Sequence, residues 1–143
     1  MWKFLAPSGV TAIIAFAVLR RKWEALFFAL SMLATWLLTW GLKTAVGRER
    51  PALWEMQPHG DDSFPSGHTV DTTCFATALV ICVSRIWPRA TKVATVVACL
   101  WSALVAISRM ALGAHWPTDV MAAACIGLIV PFVIQLVLHR ASR

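Results

Sequence analysis

Two histidines and a carboxylate carry the chemistry this sequence offers. In the stretch HWPTD, Asp119 follows His115 by four residues. Pro117 suits the first position of a helix, which puts His115 just outside it and Asp119 in its first turn. A carboxylate on one imidazole nitrogen fixes the tautomer and leaves a lone pair on the other. That is how a nucleophilic histidine is oriented. His68, in SFPSGHT, remains as a proton donor for a leaving oxygen. The simpler reading of Asp119 is that it complements the helix dipole, a role that has no need of His115.

The residues around them suit an anion. Lys43, Arg50 and Arg109 bring ammonium and guanidinium donors, and guanidinium matches phosphate oxygens in pairs. Ser66 occupies the expected N-cap of a helix, with Pro65 stiffening the entry. Gly67 admits close backbone approach, and the free N–H groups of a helix start attract negative charge. Any one such residue can be a charge snorkelling from the end of a membrane span. The set also contains Arg48, and all its members fall at the ends of apolar runs that meet on one side.

Those runs define the class. Of 143 residues, 59% are hydrophobic and 14% charged, against about 45–50% and about 25% in soluble domains. The charges cluster between apolar stretches close to the ~17–25 residues that cross a bilayer. The expectation is an all-α, polytopic transmembrane helix bundle in one domain, 1–143. Its five spans lie at about 3–19, 24–42, 68–86, 93–109 and 118–138. The first could pass for a signal peptide by length, but Arg20-Arg21-Lys22 follows it and a cleavage site does not.

Assigned alternately to the two sides, eight Lys and Arg residues fall with Arg20 and Arg85 and five with Lys43 and Arg109. The positive-inside rule makes the richer side cytoplasmic. Loops 43–67 and 110–117, and the N-terminus, then face outward. Trp2, Trp23, Trp40, Trp54, Trp87 and Trp116 mark the boundaries as interface anchors. Net charge is +6, but without a basic helix face or interleaved aromatics a nucleic-acid partner is not expected. Cys74, Cys82, Cys99 and Cys125 all lie within spans, lack metal-site spacing, and read as packing residues. Glu24 is expected to answer the Arg20-Arg21-Lys22 cluster. HGDD, 59–62, reads as a solvent-facing turn rather than a metal site.

KTAVGRERP, PSGH and SRMALGAHWPTD occur in that order. Together they resemble the three-part signature of the type 2 phosphatidic acid phosphatase family, the lipid phosphate phosphatases. The motifs run from Lys43 to Asp119, about half the chain, and include Pro51, Pro65 and Ser108 as supporting positions. Each is weak alone; the ordered set at span ends is specific. The resemblance implies that Lys43, Arg50, Ser66, Gly67 and Arg109 hold phosphate. It implies that His115 attacks phosphorus to give a phosphohistidine, that His68 protonates the leaving alcohol and then activates water, and that Asp119 orients His115. It implies neither metal nor cofactor, the cations stabilising the transition state. Membrane members of the family usually have six spans, and the first has no counterpart here. The family's soluble relatives, acid phosphatases and vanadate-dependent haloperoxidases, do not fit the apolar spans.

The expected function is hydrolysis of a lipid phosphate at the outer face of a bacterial cytoplasmic membrane. Undecaprenyl diphosphate, phosphatidylglycerol phosphate and phosphatidic acid are the candidate substrates, with membrane lipids the expected partners. A lipid-to-lipid phosphotransferase would use the same histidine, and a silent lipid-phosphate binder would need only the cations. Asp71, three residues after His68, is not implied by the resemblance. It either complements the start of its helix or touches His68.

Overall fold

The structure, a computed structural model, describes residues 5–51 and 62–141. Trp2, Lys3, Trp54, His59 to Asp61 and Arg143 lie outside the described residues. Among the described residues five α-helices follow one another: α1 (Leu5–Val18), α2 (Lys22–Val46), α3 (Gly67–Ile86), α4 (Thr91–Ala111) and α5 (Pro117–Ala141). A short 3-10 turn at Pro88–Ala90 joins α3 to α4. Helices α2 to α5 are long and apolar enough to cross a membrane. At 1.5 Å per residue, the 20 residues of α3 span about 30 Å, the thickness of the hydrocarbon layer. Helix α1 has 14 residues and about 21 Å of length. Of the five expected spans, four therefore reach full crossing length among the described residues.

Helix α3 is central. It packs on α2, α4 and α5, while α1 lies mainly on α2. Its buried face consists largely of small side chains, among them Thr69, Thr73, Cys74, Ala78 and Cys82. Lipid supplies no hydrophobic drive between helices, so close backbone approach and small polar contacts have to hold them. Both are present. The Thr35 hydroxyl of α2 donates to Cys74 Sγ at 3.1 Å, and Ser31 offers its carbonyl to the same sulfur at 3.6 Å. Cys74 thus joins two helices, besides filling space. Cys82 is also buried, whereas Cys99 and Cys125 are exposed.

On α5, Gly127 faces the middle of α3. A methyl group placed there would lie 2.7 Å from Thr73 Cβ and 2.8 Å from the Cys74 backbone nitrogen. Helix α5 also runs through the buried Pro131, which lacks the N–H of the helical ladder.

Toward the end of the bundle where α3 finishes, Phe27, Phe28, Ala78, Ile81 and Cys82 form a closed cluster under Phe16 and Phe75. Phe28 meets Phe75 edge-on at 5.2 Å, a favoured aromatic geometry. Glu24 there is buried, and it faces Arg85 of α3 at 3.9 Å. The expectation that it answers Arg20-Arg21-Lys22 is corrected: its ion pair closes across the bundle. Arg85 also lies over the Trp23 ring at 3.8 Å, so one guanidinium serves an anion and an aromatic face.

Helix α4 packs on α3 without burying any residue. Val93, Val97, Leu100, Trp101 and Leu104 are all more than half exposed along it. This is an outward apolar stripe suited to lipid.

Gly127→Ala should destabilise the bundle by about 1–3 kcal/mol, the usual range for an overpacked contact. Gly41→Ala provides the contrast, since a methyl group at Gly41 meets nothing within 4 Å and alanine favours the helix by about 1 kcal/mol. Thermal unfolding in detergent should show a lower midpoint for the first variant and an equal or higher one for the second. The reverse order would contradict this packing.

Candidate active site

Helix α2 ends at Gly47, which adopts φ 56° as its left-handed cap and donates its N–H to the Lys43 carbonyl. A glycine tolerates that conformation at little cost. The chain then turns back over the helix ends, carrying Arg48, Glu49 and Arg50 toward the α4–α5 loop. That loop makes its own tight turn at Gly113, φ 62°. It is tied to α4 by the Ala114 N–H on the Arg109 carbonyl at 3.2 Å.

His115 lies in this loop, 4% exposed. Its Nδ1 is 2.8 Å from the carbonyl oxygen of Ser63. A carbonyl only accepts, so Nδ1 carries the hydrogen. Its Nε2 is 3.2 Å from Arg50 Nη1. A guanidinium only donates, so Nε2 presents its lone pair. Two independent partners thus impose the same tautomer, with Nε2 as the basic nitrogen. Burial and the neighbouring Arg50 charge push the His115 pKa down to about 4, against the smaller opposing pulls of the Ser63 hydrogen bond and Asp119. The ring is neutral at physiological pH.

Asp119 is completely buried. One oxygen accepts from Arg48 Nη1 at 2.8 Å. The other accepts from the Trp116 backbone N–H at 2.9 Å. Trp116 precedes the first residue of α5 and Asp119 is the third residue, so the side chain reaches back as in a capping box. Asp119 stands 3.7 Å from His115 Nδ1, beyond hydrogen-bond length. The expected carboxylate on the ring is thus near, but the hydrogen bond belongs to Ser63. Ser63 is positioned in turn by its N–H on the Arg48 carbonyl at 2.7 Å and its hydroxyl on the Glu49 carbonyl at 3.0 Å.

Arg48 receives no role from its spacing, yet it binds Asp119 and Thr118 Oγ1, the latter at 2.7 Å. It also lies over the Trp116 ring at 5.3 Å. Trp116, expected as an interface anchor, donates its indole N–H to the Glu49 carbonyl at 3.1 Å. Arg50 reaches the Ala114 carbonyl at 2.9 Å with the nitrogen that touches His115.

Ser66 is the N-cap of α3 and fully buried, but its side chain does not cap. Its hydroxyl pairs with Thr69 Oγ1 at 3.0 Å, and its N–H meets the Asp119 carbonyl at 3.3 Å. The first-turn N–H groups of α3, from Gly67 onward, therefore receive no side-chain cap, the condition for anion binding at a helix start. The Phe64–Pro65 peptide ahead of it is cis. His68, half-buried, is the second residue of α3. Lys43 Nζ donates to the carbonyl of Asp62, next to Ser63. Arg109, in the last turn of α4, contacts the Ser108 hydroxyl at 3.3 Å. Pro51 is buried at the far end of the Arg48–Arg50 strap. Asp71 is half-buried on α3. Of HGDD only Asp62 is described.

Because His115 titrates near 4 in the folded chain and near 6.5 unfolded, the unfolded chain binds more protons between those values. Its contribution to stability is full above pH 6.5 and is lost as pH falls toward 4, a change on the order of 3 kcal/mol. Unfolding measured from pH 7 to 4 should show this slope in the wild type and a shallower one in His115→Asn. Equal slopes would place the titration elsewhere.

The sequence profile of the PAP2 superfamily matches residues 24–143. Phosphatidylglycerophosphatase B of Bacillus subtilis (strain 168) is 29% identical over 135 residues, covering 92% of this chain and 66% of its own length. A putative undecaprenyl-diphosphatase of Escherichia coli (strain K12) is 26% identical over 138 residues, covering 88% and 66%. The crystal structure of the first transmembrane PAP2 type phosphatidylglycerolphosphate phosphatase from Bacillus subtilis superposes with a TM-score of 0.87 at 27% identity, over 98% of this chain and 71% of that one. This chain thus spans just under two thirds of the length of these two sequence relatives. The profile takes in the polar end of the bundle and nearly all of the four long apolar helices, and the chain belongs to the PAP2 superfamily as a multi-pass membrane protein.

Proposed function

We propose that this protein hydrolyses lipid phosphates through a phosphohistidine formed on His115. The observation that carries the reading is the doubly constrained imidazole, with Nδ1–H on Ser63 and Nε2 facing Arg50. A buried neutral imidazole with its lone pair aimed at a guanidinium is a nucleophile beside the charge that would bind its target. The Nε2 lone pair attacks phosphorus and the bond to the leaving oxygen breaks. His68 gives that oxygen a proton. Water, losing a proton to His68, then cleaves the phosphorus–nitrogen bond and frees phosphate and His115.

Arg50 Nη1 lies close enough to Nε2 to reach an oxygen on the phosphorus being attacked. Lys43, Arg109, Ser66 and the α3 N–H groups from Gly67 onward complete the cradle, the Ser66 N–H itself being taken by the Asp119 carbonyl. Stabilisation of developing charge by such donors commonly contributes more to phosphoryl transfer than any other effect, and it supports catalysis without a metal ion. Asp119 acts through the loop: it holds Trp116 and Arg48, and so fixes where His115 sits. The relatives' names support the substrate class. Phosphatidylglycerol phosphate and undecaprenyl diphosphate follow from them, and phosphatidic acid follows from the resemblance of the motifs. The charge asymmetry of the loops supports a site on the outer face of the cytoplasmic membrane.

Phosphate release from these three lipids should persist in chelator and need no lipid acceptor. In right-side-out vesicles a membrane-impermeant aryl phosphate should be cleaved without permeabilisation. His115→Ala should abolish turnover of every substrate. His68→Ala should cost about 10²–10⁴-fold where the leaving alcohol needs a proton, and much less for an aryl phosphate with an acidic phenol. Equal losses on both substrate types would overturn the assignment of the two histidines, and release only with a lipid acceptor would make the protein a transferase.

A further inference from the structure

Arg48 falls between Lys43 and Arg50, and the motif spacing gives it no part in holding phosphate. Its guanidinium ends instead on the fully buried Asp119. Nη1 donates to Asp119 Oδ1 at 2.8 Å and to Thr118 Oγ1 at 2.7 Å. The backbone of the same residue reaches the histidine by another route. The Arg48 carbonyl accepts the Ser63 N–H at 2.7 Å, and Ser63 in turn offers its own carbonyl to His115 Nδ1 at 2.8 Å. One residue thus restrains both acceptors that flank the ring.

Those two acceptors compete for the single Nδ1 hydrogen. The Ser63 carbonyl holds it, and Asp119 Oδ2 stands off at 3.7 Å. A hydrogen bond to a carboxylate is roughly twice as strong as one to a neutral carbonyl. A free Asp119 would therefore close the remaining distance, about 1 Å, and take the hydrogen. It is not free, since Arg48 grips one oxygen and the Trp116 N–H the other at 2.9 Å. The winner of this competition sets the charge of the ring. The charged groups bearing on His115 are Arg50 of the strap, Lys43 of α2 and Asp119 of α5. His68 of α3 and Arg109 of α4 stand at the same end of the bundle. Arg50 and Lys43 disfavour an imidazolium, and Asp119 favours one. With the carboxylate offset by Arg48, the cations prevail and the ring is neutral.

We propose that Arg48 is a positioning residue: it keeps Asp119 off His115, so that Ser63 takes the Nδ1 hydrogen and Nε2 remains an uncharged nucleophile. The inference rests on the reading of His115 as the nucleophile. It adds the group that decides whether a carbonyl or a carboxylate orients the ring. Arg48 acts through Asp119 and touches no reacting atom.

The test is an NMR titration of protein carrying ¹⁵N in its histidine rings, in detergent, with the His115 signals identified by their loss in His115→Asn. In the wild type the midpoint should lie at about 4, with the hydrogen on Nδ1. Arg48→Gln should raise it by about 1–3 units, the effect of an opposite charge at close range. Arg48→Lys, which keeps the charge, should stay close to the wild type. In the Asp119→Asn background, Arg48→Gln should move nothing. That pair leaves no buried carboxylate unmatched, so it carries the test even where Arg48→Gln alone fails to fold. Phosphate release should follow the ring: because the nucleophile must be neutral, its acid limb should move to higher pH in Arg48→Gln by the same amount. An unmoved midpoint in folded Arg48→Gln, or an equal shift with Asp119→Asn in place, would overturn the inference and leave the phosphatase reading standing. A wild type that titrates as expected but releases no phosphate would overturn the phosphatase reading and leave the role of Arg48 in setting the ring's charge.

Discussion

A carboxylate with no solvent exposure has to be matched by donors, and the polar end of this bundle is arranged around that requirement. Asp119 receives Arg48 on one oxygen and the Trp116 N–H on the other, while its own carbonyl receives the Ser66 N–H. These three bonds bring together the strap after α2, the loop before α5 and the start of α3. Leaving such a charge unpaired would cost several kcal/mol. The same constraint that closes α5 at its N-terminus therefore also fixes the segment that orients the histidine. Ser63 depends on the Arg48–Glu49 strap for both of the hydrogen bonds it donates, so the tautomer of His115 is one step removed from Asp119.

The membrane explains why this arrangement sits where it does. Below the polar end, α3 is held by close packing and small hydroxyl and thiol contacts, with Gly127 allowing α5 to lie against it. Such packing gives a rigid platform at the N-terminus of α3. Helix α4, which buries nothing, leaves a groove on its inner side. The rigid platform and the groove between α3, α4 and α5 follow from one distribution of side-chain sizes: small on α3 and on the inner face of α4, large on the outer face of α4.

Much of this was legible in the residues. Apolar run lengths gave α2 to α5, because a bilayer dictates length more strictly than water does. HWPTD placed Pro117 and Asp119 in the first turn of α5, since proline and aspartate have positional meaning there. The nearness of His115 to Arg50, 65 residues apart, follows from the ordered motifs rather than from any local pattern. What was illegible has physical causes. The orienting group on His115 is a backbone carbonyl, and no side chain advertises it; only the strap's geometry puts Ser63 there. Arg48 looks like any flanking arginine until it is seen to bind a buried carboxylate. Glu24 pairs with Arg85 across the bundle, because a partner on a packed helix can outcompete charges nearby in sequence.

The account turns on the ring nitrogen that Ser63 leaves free. The direct measurement is to quench the protein with alkali during its proposed turnover of a radiolabelled lipid phosphate and identify the phosphohistidine isomer by peptide mapping and NMR. The account predicts label on His115 at Nε2. Label at Nδ1, or turnover under conditions that trap a control phosphohistidine but leave His115 unlabelled, would contradict it.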